Sequence, residues 1–161
     1  TKEEDFTTFI QKVPDSKDKD APFYRWTVTL DTSKIKEKTY GKLQSIEIKK
    51  RNQAGYITEL ILRYEKEEIM LHKENDIRKT IGQYMSELKL STGEIRTNMT
   101  MIPSACFKVT QNTEGNFILQ GGGYGHAIGL SQYGANHLAL EGMNYKEILQ
   151  YYFSNIMVKE L

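Results

Sequence analysis

Residues 121–153 read GGGYGHAIGLSQYGANHLALEGMNYKEILQYYF, and this segment carries the strongest pattern in the chain. Six glycines fall between residues 121 and 134. That density predicts tight or positive-φ turns, or a backbone that a ligand approaches closely. The side chains among these glycines offer hydrogen-bonding groups and an aromatic face but no charge, and they are Tyr124, His126, Ser131 and Gln132. They suit a neutral, polyhydroxylated ligand such as a sugar chain, or a strand-to-helix connection whose polar groups only satisfy the backbone.

Two helices are predicted after the glycines. The first covers about residues 132–140 and ends near Gly142, because glycine is common at the C-terminal end of a helix. Asn144 and Glu147 have the spacing of a capping box, which predicts a second helix over residues 145–152. Within that helix, the stripe at 145, 148, 149 and 152 has helical spacing and is interpreted as core.

Short alternating or apolar runs upstream predict antiparallel strands joined by hairpins. The strands are expected at 23–30, 43–48, 56–64, 69–71, 105–109 and 117–119. Gly55 supplies a positive-φ residue for the turn in the first hairpin, and QNTEG at 111–115 supplies the second turn. The fold class predicted is α+β, with antiparallel strands and hairpins followed by C-terminal helices.

Three further helix signals lie in the first part of the chain. Phe6, Phe9 and Ile10 indicate a short helix in an otherwise polar lead-in. The segment DTSKI at 31–35 offers a helix cap at Asp31, Thr32 or Ser33. Asn75 or Asp76 is expected to cap a helix whose apolar positions are Ile77, Ile81 and Met85.

Composition narrows the function classes. With 22 basic and 21 acidic residues the formal net charge is +1, so nothing favours binding to nucleic acid or to an anionic membrane. Cys106 is the one cysteine, which rules out an intrachain disulfide. No stretch approaches the roughly 20 apolar residues of a membrane span. The chain starts at Thr1 rather than at methionine, and we expect it to be part of a longer protein.

Standard catalytic and cofactor motifs fail to match. The glycine spacing is neither G-x-G-x-x-G nor that of a P-loop, and GLSQYG has one residue too many for a nucleophile elbow. Ser131 is therefore interpreted as a helix cap rather than a nucleophile. His126 and His137 do not form H-E-x-x-H, and Cys106 has no neighbouring cysteine. We predict no metal site and no cofactor.

The segment GGGYGHAIGLSQYGANHLALEGMNYKEILQYYF resembles the C-terminal signature of the SpoIID/LytB family, G-x-G-[WY]-G-H-G-x-G-[ML]-S-Q-x-G-A followed by a helix and Y-x-x-I-L-x-x-Y-Y. Matching positions include Tyr124, His126, Ser131 and Gln132. Ala127 departs from the pattern, because the family has glycine there. The resemblance implies that residues 1–161 are the C-terminal part of a single SpoIID-type domain.

The resemblance implies one of two functions, because the family contains both enzymes and non-catalytic proteins. Some members of the family are lytic transglycosylases, which cut between N-acetylmuramic acid and N-acetylglucosamine and prefer strands without stem peptides. Others are non-catalytic LytB-type amidase enhancers, with a cell-wall amidase as partner. In the enzymes the catalytic glutamate belongs to an N-terminal half that precedes anything matched here. We expect this chain to bind peptidoglycan glycan strands on the outer face of a bacterium, in the cell wall or anchored to the membrane, and to be inactive alone.

The expected substrate-binding residues are Tyr124, Gly125, His126, Ser131 and Gln132. Tyr124 would stack on a sugar face, the alternative being a packed tyrosine at a strand end. His126 would bind the glycan or orient the absent glutamate. The alternative is a histidine whose side chain only hydrogen-bonds to main-chain groups. Glycosidic cleavage needs a carboxylic acid, yet the segment has none between Glu114 and Glu141. Both of those glutamates are interpreted as solvated surface charges, so the acid is expected outside this chain.

Overall fold

The computed structural model divides the chain into two compact units. The residues that it describes are 3–12, 16–31, 33, 40–126 and 128–159. The first unit is formed by Thr1–Lys12 and Pro22–His126, and the second by Val13–Ala21 and Ala127–Leu161. Antiparallel sheets together with helices confirm the predicted α+β class. The prediction that residues 1–161 act as one SpoIID-type domain stays a prediction.

The described residues form four helices and eight strands. In chain order they are α1 (Glu3–Gln11), β1 (Trp26–Leu30), β2 (Leu43–Arg51), β3 (Ile57–Tyr64), β4 (Glu68–Leu71), α2 (Glu74–Gly82), β5 (Met85–Leu90), β6 (Ile95–Arg96), β7 (Phe107–Gln111), β8 (Phe117–Gly121), α3 (Gln132–Leu140) and α4 (Tyr145–Tyr152). None of these helices is long and apolar enough to cross a lipid bilayer.

Strand β1 lies at the centre of a five-stranded sheet with the order β6-β5-β1-β8-β7. Its antiparallel partner β5 places Leu90 opposite Trp26, and its other partner β8 places Gly121 opposite Trp26. Val28 and Leu30 are fully buried, because alternate residues of the strand point to the core. The glycine-rich segment therefore leaves the sheet beside its central strand.

A second sheet, with the order β2-β3-β4, contributes to the same core. Strands β2 and β3 form the predicted hairpin, whose turn contains Gly55 at a φ of +86°. Leu60 and Leu62 of β3 are buried in one cluster with Ile77 and Ile81 of α2. Burial of these side chains is the main force that holds the sheets and the helix together.

Helix α1 is held at both ends by arginines. Its apolar residues Phe6 and Ile10 are buried in a small cluster of their own. Arg51, whose side chain is 2% exposed, donates hydrogen bonds to both carboxylate oxygens of Glu3 at 2.7 Å. Arg25 donates from Nε to the carbonyl oxygen of Ile10 at 3.1 Å, which satisfies one of the acceptors left free at a helix end.

Both helices of the second unit have the predicted bounds. In the capping box of α4, the Asn144 side chain accepts from the Glu147 N–H at 3.2 Å and the Glu147 carboxylate accepts from the Asn144 N–H at 2.7 Å. The interpretation of its 145/148/149/152 stripe as core is only partly right. Ile148 is buried, but Tyr145 is 57% exposed, since nothing in the described part of the unit covers it.

Several predictions for the first unit were wrong. Strands β5 and β6 were not predicted, and Met85, assigned to a helix, begins β5. Neither Asn75 nor Asp76 caps α2, because the N-cap residue is Lys73 and makes no side-chain cap bond. Acidic residues in the first turn of α2 lie near the positive end of its dipole instead. The helix expected after the cap at 31–33 falls mostly on residues 34–39, which lie outside the described residues.

Candidate functional site

Packing within the chain restricts the first two positions of the glycine run. A Cβ at residue 121 would lie 2.2 Å from Cζ2 of the Trp26 indole, and one at residue 122 would lie 3.0 Å from the carbonyl oxygen of Tyr24. The first approach is too close for a side chain, and the second would need its neighbours to shift by a few tenths of an ångström. These two glycines therefore allow β8 to pass against Trp26 and Tyr24, and no ligand is needed to explain them.

The loop that follows, residues 123–126, is fixed to its surroundings by main-chain hydrogen bonds. The Gly123 N–H donates to the carbonyl of Phe23 at 2.8 Å, and the Gly125 N–H donates to that of Pro103 at 2.9 Å. The carbonyl of Gly123 accepts from Nε1 of Trp26 at 3.1 Å. Gly123 and Gly125 have φ values of +77° and +92°, a region in which a side chain is strained. The loop is thus a defined structure.

Tyr124 projects from this loop with its side chain largely uncovered. Its exposed fraction is 61%, and its ring centroid is 4.7 Å from that of the half-buried Phe23. We refer to the Phe23 and Tyr124 rings as the aromatic platform. The ring is thus exposed rather than packed in the core, and its stacking on a sugar stays a prediction. Exposed aromatic faces of this kind are suited to stacking on the apolar face of a sugar ring.

Two arginines flank the aromatic platform, and each is paired with a carboxylate. The guanidinium of Arg78 is 5.7 Å from the Tyr124 ring centroid, and that of Arg96 is 5.0 Å from the Phe23 ring centroid. Arg78 donates to Glu74 at 2.9 Å. Arg96 donates to Glu94 at 2.7 Å, and this hydrogen bond lowers the pKa of the Glu94 carboxyl. The charges of these two arginines are therefore balanced by neighbouring carboxylates.

His126 ends the loop and is exposed to solvent. Its imidazole makes no side-chain hydrogen bond or ion pair with another described residue. The alternative, in which the His126 side chain only hydrogen-bonds to main-chain groups, therefore has no support in the described part of the chain. Tyr124, Gly125 and His126 are brought together in the first unit, as three consecutive residues at the end of β8.

Ser131 and Gln132 belong to the second unit, where they begin α3. The Ser131 hydroxyl accepts from the Gly134 N–H at 3.1 Å, so the interpretation of Ser131 as a helix cap is confirmed. Gln132 is the exposed first residue of the helix. A Cβ at residue 134 would lie 2.0 Å from the hydroxyl of Tyr152, so a side chain there would displace the end of the Tyr152 side chain. That these two residues share a glycan surface with Tyr124 stays a prediction.

The carboxylates that border the segment are exposed, as expected. Glu114 lies in the turn between β7 and β8 and accepts a hydrogen bond from Asn116. Glu141 ends α3, where ion pairs with Lys17 and with His137 lower the pKa of its carboxyl. A general acid in glycoside cleavage needs a raised pKa. Glu141 has the opposite shift and is not suited to that role.

The described residues gather no metal-ligand cluster, and the one thiol of the chain is buried. Burial raises the pKa of the Cys106 thiol to about 11, which keeps it protonated and unreactive at neutral pH. Among residues 3–12, 16–31, 33, 40–126 and 128–159, no three His, Cys, Asp or Glu side chains are placed to hold a metal ion.

Sequence reasoning missed Phe23, Arg78 and Arg96 as neighbours of Tyr124. They come from the approach to β1, from α2 and from β6, at least 28 residues from Tyr124 along the chain. The sequence offers one signal, that Arg78 stands directly after the apolar helix position Ile77, and the structure shows that Arg78 is buried. No local pattern connects the other two residues with the loop.

Comparison with known proteins gives two kinds of match. The family described as "Domain of unknown function (DUF8618)" matches residues 1–91. The amidase enhancer of Bacillus subtilis (strain 168) is 35% identical over 85 residues, which are 48% of this chain and 12% of that protein. Stage II sporulation protein D of the same strain is 45% identical over 38 residues, 24% of this chain and 11% of that protein. Its counterpart in Bacillus amyloliquefaciens is 33% identical over 72 residues, 45% of this chain and 20% of that protein.

The aligned part of the chain thus spans a fifth or less of each of these relatives. The match to the family of unknown function, in contrast, covers more than half of the chain. It ends before the glycine-rich loop, so the loop and the two C-terminal helices lie outside it. On these matches the chain belongs to the family described as "Domain of unknown function (DUF8618)", and it is SpoIID/LytB-like.

Proposed function

We propose that this chain binds the glycan strands of peptidoglycan as part of a SpoIID-like lytic transglycosylase on the outer face of a bacterium. One observation carries the proposal: Tyr124 presents an exposed ring, backed by Phe23, from a loop that hydrogen bonds hold in place. A preformed aromatic face loses little conformational entropy on binding, which favours a weakly interacting ligand such as a sugar chain. The names of the relatives support a role connected with sporulation or with an amidase.

The groups around the aromatic platform suit an amino sugar. The imidazole of His126 is exposed beside it and can donate or accept a hydrogen bond at a hydroxyl or an acetamido group. Arg96 and Arg78 are neutralised by Glu94 and Glu74, so the surface does not select for charge. Ser131 and Gln132 are likewise proposed to bind glycan.

Cleavage needs a proton donor, and we propose that it comes from another part of the protein. Glu141 has a lowered pKa because of Lys17, and Glu114 lies in an exposed turn. Neither carboxyl meets the requirement for a buried, protonated acid. The N-terminal half of the same SpoIID-type protein is the proposed source. The chain alone is therefore expected to bind glycan strands without turning them over.

Binding is tested with peptide-free glycan strands and a matched pair of tyrosine variants. Tyr124→Ala should weaken retention of the chain on the strands by about tenfold, as expected for the loss of one stacking contact. Tyr145→Ala is the control, because Tyr145 is similarly exposed at 57% but belongs to the second unit. If both variants and the unchanged chain are retained equally, the proposal is wrong.

Turnover is tested with the longer protein that contains this chain. Incubation with the same strands should release products that end in anhydro-muramic acid, which mass spectrometry identifies. The chain of residues 1–161 by itself should release none. Products from the isolated chain would show that the proton donor has been placed wrongly.

A role as an amidase enhancer is the second candidate, favoured by the relative of that name, which matches 48% of the chain. In that case the chain binds the wall and stimulates a partner amidase without cutting the glycan. Adding the longer protein to a cell-wall amidase should then increase the release of stem peptides while no anhydro-muramic products form. The two product types separate the two candidates.

A further inference from the structure

Arg78 of the first unit connects α2 with the ring of Tyr124 and with Ile102, which directly precedes the residues that hold the glycine-rich loop. Its Nε donates to the carbonyl of Ile102 at 3.0 Å. Its own main-chain carbonyl accepts from the Ile102 N–H at 3.2 Å. Arg78 thus fixes Ile102 from two sides, and its guanidinium carbon is also 5.7 Å from the Tyr124 ring centroid.

The residues that follow Ile102 hold the loop directly. Pro103 accepts the hydrogen bond from the Gly125 N–H at 2.9 Å. Ser104, which is fully buried, donates from Oγ to the carbonyl of Gly122 at 2.8 Å and forms a bridge with Gly125. Any shift of the 102–104 segment therefore moves the loop on both sides of Tyr124.

Arg78 is suited to this task by its burial and by its charge partner. The side chain is 10% exposed, so it cannot reach a ligand on the outer face of the aromatic platform. Glu74, one helical turn earlier, accepts from Arg78 at 2.9 Å and keeps the guanidinium in place. The planar guanidinium can bind a carbonyl and a carboxylate at fixed angles while one face lies near an aromatic ring, and a lysine cannot.

We propose that Arg78 is a positioning residue, which sets the orientation of Tyr124 and so the affinity of the site for glycan. This inference depends on the proposed function, because it assigns to that site the residue that holds its aromatic platform in place. Arg78 contributes without touching the ligand. Its effect is transmitted through Ile102 and Pro103 to the Gly125 amide.

The position of the loop is tested first, by nuclear magnetic resonance in the absence of glycan. Arg78→Lys should shift the Gly125 amide signal and the ring signals of Tyr124. Arg96→Lys is the matched control, since Arg96 also lies near the platform and also pairs with a glutamate, Glu94, but makes no hydrogen bond to Ile102. Unchanged Gly125 and Tyr124 signals in Arg78→Lys would overturn the inference.

A reciprocal variant leaves Arg78 intact and covers the case in which Arg78→Lys fails to fold. Tyr124→Leu removes the ring current near the guanidinium and should shift the Nε–H signal of Arg78. An unshifted signal would show that the two side chains are not in contact, and the inference would be lost.

Affinity is measured second, on the variants that pass the first test. Arg78→Lys should weaken binding to peptide-free glycan strands about tenfold, comparable with the loss of one hydrogen bond from a charged donor. A shifted loop with unchanged affinity would overturn the inference. If the unchanged chain binds no glycan while the loop signals still respond to Arg78, the proposed function fails and the positioning of the loop by Arg78 stands.

Discussion

The indole of Trp26 donates a hydrogen bond from Nε1 to the carbonyl oxygen of Gly123 at 3.1 Å, while its six-membered ring fills the space beside Gly121. One buried side chain of the central strand therefore determines both where β8 ends and where the loop begins. The conformation of the loop is thus coupled to the core of the first unit, and substitutions at this contact should be visible in the spectrum of the tryptophan.

Gly121→Ala is expected to destabilise the first unit by about 1–3 kcal/mol, because the new methyl group overpacks the core against Trp26. Urea unfolding monitored by tryptophan fluorescence measures this, and Trp26 is the one tryptophan in the chain. Gly115→Ala is the control: residue 115 has a φ of +81° and open space around it. Only the first variant should change the native emission of Trp26, and a change in both would point to a cause other than overpacking.

In the second unit, Gly134→Ala is expected to change the free energy of unfolding by less than about 1 kcal/mol, since alanine favours the helix while the methyl group would displace the hydroxyl of Tyr152, 2.0 Å away. Tyr152→Phe removes that oxygen. In the double variant the cost should be smaller than the sum of the two single costs, which a double-mutant cycle measures in urea. Strict additivity would contradict the contact between these residues.

Ser131→Ala should lower the stability of α3 by about 1 kcal/mol, because the hydroxyl that accepts from the Gly134 N–H is lost. Ser131→Asp keeps an acceptor in the same place and should restore most of the stability. Circular dichroism during thermal unfolding follows both variants. If neither variant changes the unfolding curve, the side chain does not function as a cap.

Alkylation of Cys106 should be slow in the native chain at pH 8 and fast in urea. Burial raises the pKa of the thiol to about 11 from its ordinary 9.0, so the native form stays protonated. In the unfolded chain the thiol ionises at lower pH, and the native state should therefore lose stability as the pH rises from about 9 towards 11. Mass spectrometry after iodoacetamide treatment measures the labelling, with Cys106→Ser as the blank.

Local signals predicted the elements that depend on neighbouring residues. Residues that are close in sequence determine three of these features: the capping box at Asn144, the cap at Ser131 and the turn at Gly55. For β5 the local signal was misleading, because Met85 follows Ile81 at the same interval at which Ile81 follows Ile77. Helical spacing continued by coincidence into a strand whose pairing partner, β1, lies more than 50 residues earlier.

The residues of the candidate site likewise fall into those that a local motif predicts and those that only long-range pairing brings together. Tyr124, Gly125 and His126 are consecutive, and the sequence motif alone selects them, while their contact with glycan stays a prediction. Phe23 and Arg78 reach Tyr124 only because β1 pairs with β8 and because α2 packs beside residue 102. Contacts that depend on such long-range pairing leave no local pattern in the sequence, and the structure was needed to find them.

Each unit is assembled from two separate stretches of chain, and this limits how the protein can be divided in the laboratory. A gene truncated after residue 126 would remove Glu141 while retaining Lys17, its ion-pair partner in the same unit. Isolating either unit requires removing an internal segment and rejoining the ends. Domain boundaries chosen from a linear map of the sequence would therefore cut through both units.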